Sequence, residues 1–147
     1  MRFFNTAGPV RPTYNYCLPP LSRFDLDGVL TLVDQQKYFV LHAPRQTGKT
    51  SCLLALVDYL NNAHDYCAVY ANVEVGQSAR ENVGEAMRAI LGEIGRAARD
   101  MVGDRFILDG MSEALAQFGP HGALRALLGD WAAAAAKPIL LTLDEVD

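Results

Sequence analysis

Tyr38-Phe39-Val40-Leu41-His42-Ala43-Pro44-Arg45-Gln46-Thr47-Gly48-Lys49-Thr50 is the stretch on which the reading of the whole chain turns. Its first part, Tyr38 to His42, is an apolar, β-favouring run and predicts a buried strand. Ser51 to Leu60, which follows the stretch at once, reads as a helix. Strand, Gly-Lys-Thr loop and helix together make the setting a phosphate-binding loop needs. In such a loop, backbone N–H groups wrap a phosphate chain, and the positive end of the following helix points at the same phosphates. Gly48 allows close backbone approach. Lys49 is a flexible cation able to reach the β- and γ-phosphates, and Thr50 can offer its hydroxyl to Mg²⁺. The candidate nucleotide-binding residues are therefore Ala43, Pro44, Arg45, Gln46, Thr47, Gly48, Lys49, Thr50 and Ser51. Ala43 stands where the usual G-x-x-x-x-G-K-[ST] pattern has glycine. It keeps its N–H but restricts φ, so the loop must turn there without a positive φ. The plain alternative is an ordinary strand–turn–helix with Lys49 a solvated lysine, and it leaves a second motif unexplained.

That second motif is Pro138-Ile139-Leu140-Leu141-Thr142-Leu143-Asp144-Glu145, an apolar strand ending in two acids. An apolar strand ending in Asp-Glu is a weak signal by itself. Downstream of Gly48-Lys49-Thr50, in this order, it becomes a strong one, because both strands would end at the same sheet edge, where ligands bind in open α/β sheets. It is similar to a Walker B motif. That similarity gives Asp144 to Mg²⁺, usually through water, and makes Glu145 the general base that polarises an attacking water.

Composition narrows the class. The chain has 147 residues, half of them apolar, which is enough for one core and too apolar for disorder. A net charge of −4 gives no general pull toward nucleic acid, although a local basic patch stays open. Cys17, Cys52 and Cys67 are scattered and form no C-x-x-C pair, so they read as reduced thiols serving as small apolar residues. His42, His64 and His121 lack metal-ligand spacing. The first residues carry no apolar core of signal-peptide length, and no apolar run approaches membrane-spanning length.

Residues 1–22 are rich in proline and aromatics and read as an extended arm, which could touch a nucleotide base or pack against a sheet edge. Residues 23–147 form the main domain. Asp25 to Gln36 reads as a helix with Leu26, Val29, Leu30 and Val33 on one stripe. Asn61 to Asp65 reads as a loop, and Tyr66 to Val73 as a second strand. Ser78 to Met101 reads as one long helix, its arginines interleaved with acids on a solvated face. Gly103 to Gly110 reads as a break, followed by helices over Met111–Phe118 and Ala123–Ala136. The alternation of helix and strand argues for an α/β fold with a parallel sheet.

The combination of APRQTGKT, preceded by KYFVLH and followed by LLTLDEVD, resembles the AAA+/STAND group of P-loop ATPases. Within that group the likeness is to prokaryotic AAA-like ATP-binding proteins, whose N-terminal arm runs close to FNTAGPV and YCLPPLSRFDL. The resemblance covers essentially the whole chain. It implies a P-loop NTPase parallel sheet flanked by helices, incomplete at the C-terminus, and a cytoplasmic ATP- and Mg²⁺-binding ATPase. Lys49 and Glu145 would be its catalytic residues, and Thr50 and Asp144 its metal ligands. Asp147 matches the second acid of the group's D-E-x-D ending, with no role assigned. The group continues past Walker B with two more strands, a polar sensor, and often a helical lid and an arginine finger. On that comparison the chain is expected to be the front part of a larger ATPase or a truncated copy of one, prone to self-association or to pairing with a protein partner. A nucleotide-gated interaction module with little turnover and a truncated remnant without activity are the other expectations.

Overall fold

A computed structural model describes residues 13, 20–23, 25–42, 48–79 and 81–146. The expected arm therefore lies largely outside the described residues, as do Cys17, the loop residues Ala43, Pro44, Arg45, Gln46 and Thr47, and Asp147. The chain divides into two compact units, Met1–Tyr59 and Leu60–Asp147.

In the first unit, a single turn of 3-10 helix at Pro20–Arg23 precedes helix α1, Leu26–Asp34. Asp25 caps α1 by accepting the Gly28 N–H at 3.0 Å, which satisfies one of the donors a helix start leaves over. Val29 and Val33, four residues apart, are its buried residues. Helix α2, Lys49–Ala63, begins in this unit and runs three residues further than the sequence predicts. Leu53, Leu56, Val57 and Leu60 recur along it at i, i+3, i+4 and i+7 and are all buried.

The run between α1 and α2 departs from expectation. Tyr38 to His42 is not a strand. Tyr38 is fully exposed at 105%, and Val40 is 78% exposed. Strand propensity measures fit to a pleated, half-buried surface, and no strand among the described residues pairs with this run.

In the second unit, strand β1, Cys67–Asn72, pairs in parallel with strand β2, Ile139–Asp144. The register runs from Cys67 opposite Ile139 to Asn72 opposite Asp144. Val69, Ala71, Ile139 and Leu141 share one face and join the core formed with α3, Val83–Val102, and α4, Phe106–Ala134. Ala68, Tyr70, Asn72, Leu140, Thr142 and Asp144 alternate with them onto the other face. The outer edge of β1 is occupied. The Asn61 side chain donates to the Ala68 carbonyl and accepts its N–H, both at 2.8 Å, as a neighbouring strand would. The Tyr70 N–H meets the Met101 sulfur at 3.3 Å. Beside β2, the sheet has no further strand among the described residues.

α3 starts later than predicted. Glu74–Ala79 forms a 3-10 turn, and Asn82 then caps α3 by accepting the Glu85 N–H at 3.1 Å. Its buried stripe of Leu91, Ile94 and Ala98 meets Ile107, Ala114, Ala123, Leu127 and Trp131 of α4. The break expected over Gly103–Gly110 is shorter, because α4 starts at Phe106. The helices expected at Met111–Phe118 and Ala123–Ala136 are two limbs of α4. Between them Gly119 leaves helical geometry at φ 70°, ψ 175°, a conformation open to glycine, and Pro120 starts the second limb where its missing N–H costs least. Asp104 ties the two ends of α4 together. It accepts the Phe106 N–H at 2.8 Å and the Trp131 indole N–H at 2.7 Å.

The expected fold is therefore corrected. The described chain is mostly helical with a sheet of two parallel strands, not a P-loop NTPase sheet flanked by helices. The apolar run at Tyr38–His42 invited the larger sheet, but apolar character does not supply the neighbour that a strand needs.

Candidate functional site

The predicted residues fall into two groups, one in each unit. In the first unit, Lys49, Thr50 and Ser51 are the opening residues of α2 and are half-buried. Gly48 precedes them at φ 81°, the left-handed region, which lets the chain turn sharply into the helix. The Gly48 carbonyl accepts the Cys52 N–H at 3.0 Å, so the helical ladder begins at Gly48 itself. The helix start thus carries its positive dipole end at Gly48-Lys49-Thr50, the polarity that suits an anion.

In the second unit, Asp144 ends β2 and is 2% exposed. A carboxylate taken that far out of water needs donors, and it has them. Its Oδ1 accepts the Glu145 N–H at 3.0 Å, and its Oδ2 accepts the Tyr70 hydroxyl at 3.0 Å. Glu145 is exposed and sits at φ 59°, left-handed backbone that a residue with a Cβ rarely adopts. Next to them, the Asn72 side chain accepts the Glu74 N–H at 2.9 Å, and the Thr142 hydroxyl donates to the Val69 carbonyl at 3.2 Å. The polar end of the sheet is therefore built from both strands.

Sequence reading singled out Asp144 and Glu145 and passed over Tyr70. The signal for Tyr70 is its alternation within β1. Positions 68, 70 and 72 share a face, but only the register of β1 against β2 shows that this face also carries Asp144.

Among the described residues, no group of three or more His, Cys, Asp or Glu could hold a metal unaided. Asp144 and Thr50 each supply hard oxygen, which fits Mg²⁺, an ion that keeps several waters and takes its remaining ligands from substrate phosphates. A metal held mainly by the protein, such as structural zinc, does not fit this donor set.

At the opposite end of the sheet, where both strands begin, a cavity of about 380 Å³ is lined by Asn61, Tyr66, Cys67, Met101, Asp104 and Lys137, among others. Burial, and secondarily the Asp104 carboxylate, push the Cys67 thiol above its ordinary range, while Lys137 opposes them. On α3, Arg88, Arg96 and Arg99 pair with Glu85, Glu93 and Asp100 at the exposed surface. These pairs make an interleaved face, not a basic strip. No helix among the described residues is long and apolar enough to cross a membrane. Comparison of the chain with known protein families, with characterised proteins and with solved structures found no match.

Proposed function

We propose that the chain binds ATP with Mg²⁺ and that any hydrolysis is driven by water activated at Glu145. One observation carries this reading: Gly48-Lys49-Thr50 opens a helix of 15 residues, with Gly48 in the left-handed turn that lets backbone approach a phosphate. Lys49 supplies a cation to the β- and γ-phosphates. Thr50 and Asp144 are the oxygen donors suited to Mg²⁺, which when bound neutralises phosphate charge. Glu145 is exposed beside Asp144 and carries the carboxylate that a general base uses. The reading rests on the chemistry of these two groups of residues and does not need the larger sheet. Cys52 and Cys67, which are in no disulfide, suit a reducing, cytoplasmic setting.

Calorimetric titration with ATP, with and without Mg²⁺, followed by a phosphate-release assay, tests it. Lys49→Ala should weaken ATP binding by about 1.5–3 kcal/mol, the scale of a hydrogen bond to a charged group. Glu145→Gln should keep binding and lose turnover, because the amide is nearly the same shape but accepts no proton. Equal ATP affinity in Lys49→Ala and the unaltered chain would end the nucleotide reading. Binding without turnover in the unaltered chain would leave a nucleotide-gated interaction module in place of an ATPase.

A further inference from the structure

We infer that the cavity at the start of the sheet is a second binding site, one that takes a small aliphatic α-amino acid with its carboxylate on Lys137 and its ammonium on Asp104. The cavity lies at the opposite end of the parallel strands from Asp144, so the inference is independent of the nucleotide reading. All its lining residues belong to the second unit. Its volume of about 380 Å³ suits a small molecule, since ligand sites run to roughly 300–1,000 Å³. The walls divide by chemistry. Met101, Val102, Ala135 and Ala136 present the apolar part, and the two alanines are short enough to leave room for an aliphatic side chain. The Met101 sulfur accepts the Tyr70 N–H at 3.3 Å, which ties that wall to β1. Lys137 and Asp104 supply opposite charges. Mostly apolar walls with a few placed polar groups are the usual make-up of a small-molecule site.

The two charges select the ligand. Asp104 is held at both oxygens: Oδ1 accepts the Phe106 N–H at 2.8 Å and Oδ2 the Trp131 indole N–H at 2.7 Å. Both donors are neutral groups and bring no counter-charge. Among the described residues, Lys137 and Asp104 form ion pairs neither with each other nor with another side chain. Both act on one group, the Cys67 thiol: beyond the effect of burial, Asp104 raises its pKa and Lys137 lowers it. Two opposite charges thus face one cavity without closing on each other, and a zwitterion answers both at once. The helices add to the negative side. Met101 and Val102 end α3 and Ala135 follows α4, so two helix C-termini bring partial negative charge, which favours an ammonium. A plain carboxylate meets repulsion from Asp104 and these helix ends, and a plain amine meets repulsion from Lys137.

Calorimetric titration of the unaltered chain with L-leucine tests the site, with isocaproate and isopentylamine as probes that lack the ammonium and the carboxylate respectively. L-leucine should bind, and each one-charge analogue should bind about tenfold or more weakly, the scale of a hydrogen bond between charged groups. Lys137 is exposed and has no ion pair to lose, so Lys137→Gln should fold as the unaltered chain does. It should lower L-leucine affinity about tenfold or more and leave isopentylamine binding no weaker. Location is read at Cys67, which lines the cavity. In peptide-mapped alkylation with iodoacetamide, saturating L-leucine should slow modification of Cys67 and leave that of Cys52 unchanged. The inference is overturned by any one of four results: no saturable binding of L-leucine, equal affinity in Lys137→Gln, analogues that bind as tightly as L-leucine, or an unslowed Cys67. None of these results bears on the ATP titration, and a failed ATP titration leaves this site standing.

Discussion

At the scale of single residues, the proposed role of Glu145 and the stability of its backbone pull apart. Its left-handed backbone costs about 1–2 kcal/mol in a residue with a Cβ. Glycine there would be unstrained. Glu145→Gly should therefore raise stability by up to about 1 kcal/mol in a denaturant melt while removing any phosphate release. A variant that is less stable would show that the side chain makes compensating contacts. Cys67 gives a pH dependence. Burial raises its folded pKa above the unfolded value, so the folded state favours the protonated thiol. The associated stability is complete below the unfolded thiol pKa, about 8.5, and is lost as pH rises through the higher folded value. Melts at neutral and alkaline pH should show this loss, and Cys67→Ala should lack its share of it. Equal slopes in the two proteins would contradict the assignment. Lys49, Thr50, Asp144 and Glu145 could be singled out as candidates in the sequence because each is a chemical type at a defined spacing. Tyr70 was not, because its relevance depends on a hydrogen bond between residues 74 positions apart.

At the scale of elements, α3 packs closely against α4 at Gly95. A Cβ placed there would lie 2.8 Å from the Leu108 Cδ2 and 3.2 Å from the Ile107 Cγ2. Gly95→Ala gains about 1 kcal/mol of helix propensity but forces α4 side chains off their positions at about 1–3 kcal/mol. The net effect should be destabilising in a urea melt, and a stabilised variant would mean that Leu108 moves aside freely. Helices were legible wherever an apolar stripe met a cap, as at Asp25 and along Leu91, Ile94 and Ala98. Boundaries shifted where local chemistry competed. The Asn82 cap delayed the start of α3, and Asp104 brought α4 forward by accepting the Phe106 N–H. The strand expected at Tyr38–His42 failed for a different reason. β1 and β2 each have an edge satisfied by the other, and Tyr38–His42 has no such neighbour among the described strands.

At the scale of the whole molecule, the outer side of β2 matters most. Lys137 and Pro138 stand ahead of the strand, but Ile139 to Leu143 carries neither charge nor proline to discourage pairing with another chain. Leu143 is exposed near its end. Self-association should therefore rise with protein concentration in sedimentation velocity, and Leu143→Lys should reduce it. An unaltered chain that stays monomeric throughout would show that this edge is covered. The net charge of −4 offers modest repulsion against such contacts. The single tryptophan has a consequence for how unfolding can be watched. Trp131 is 2% exposed, belongs to the second unit, and holds Asp104 through its indole N–H. Its fluorescence is an optical reporter of that unit. Circular dichroism registers helix in both. If the two signals trace one transition, the units unfold as one cooperative body; if the dichroism moves first, residues 1–59 have melted while the second unit still stands.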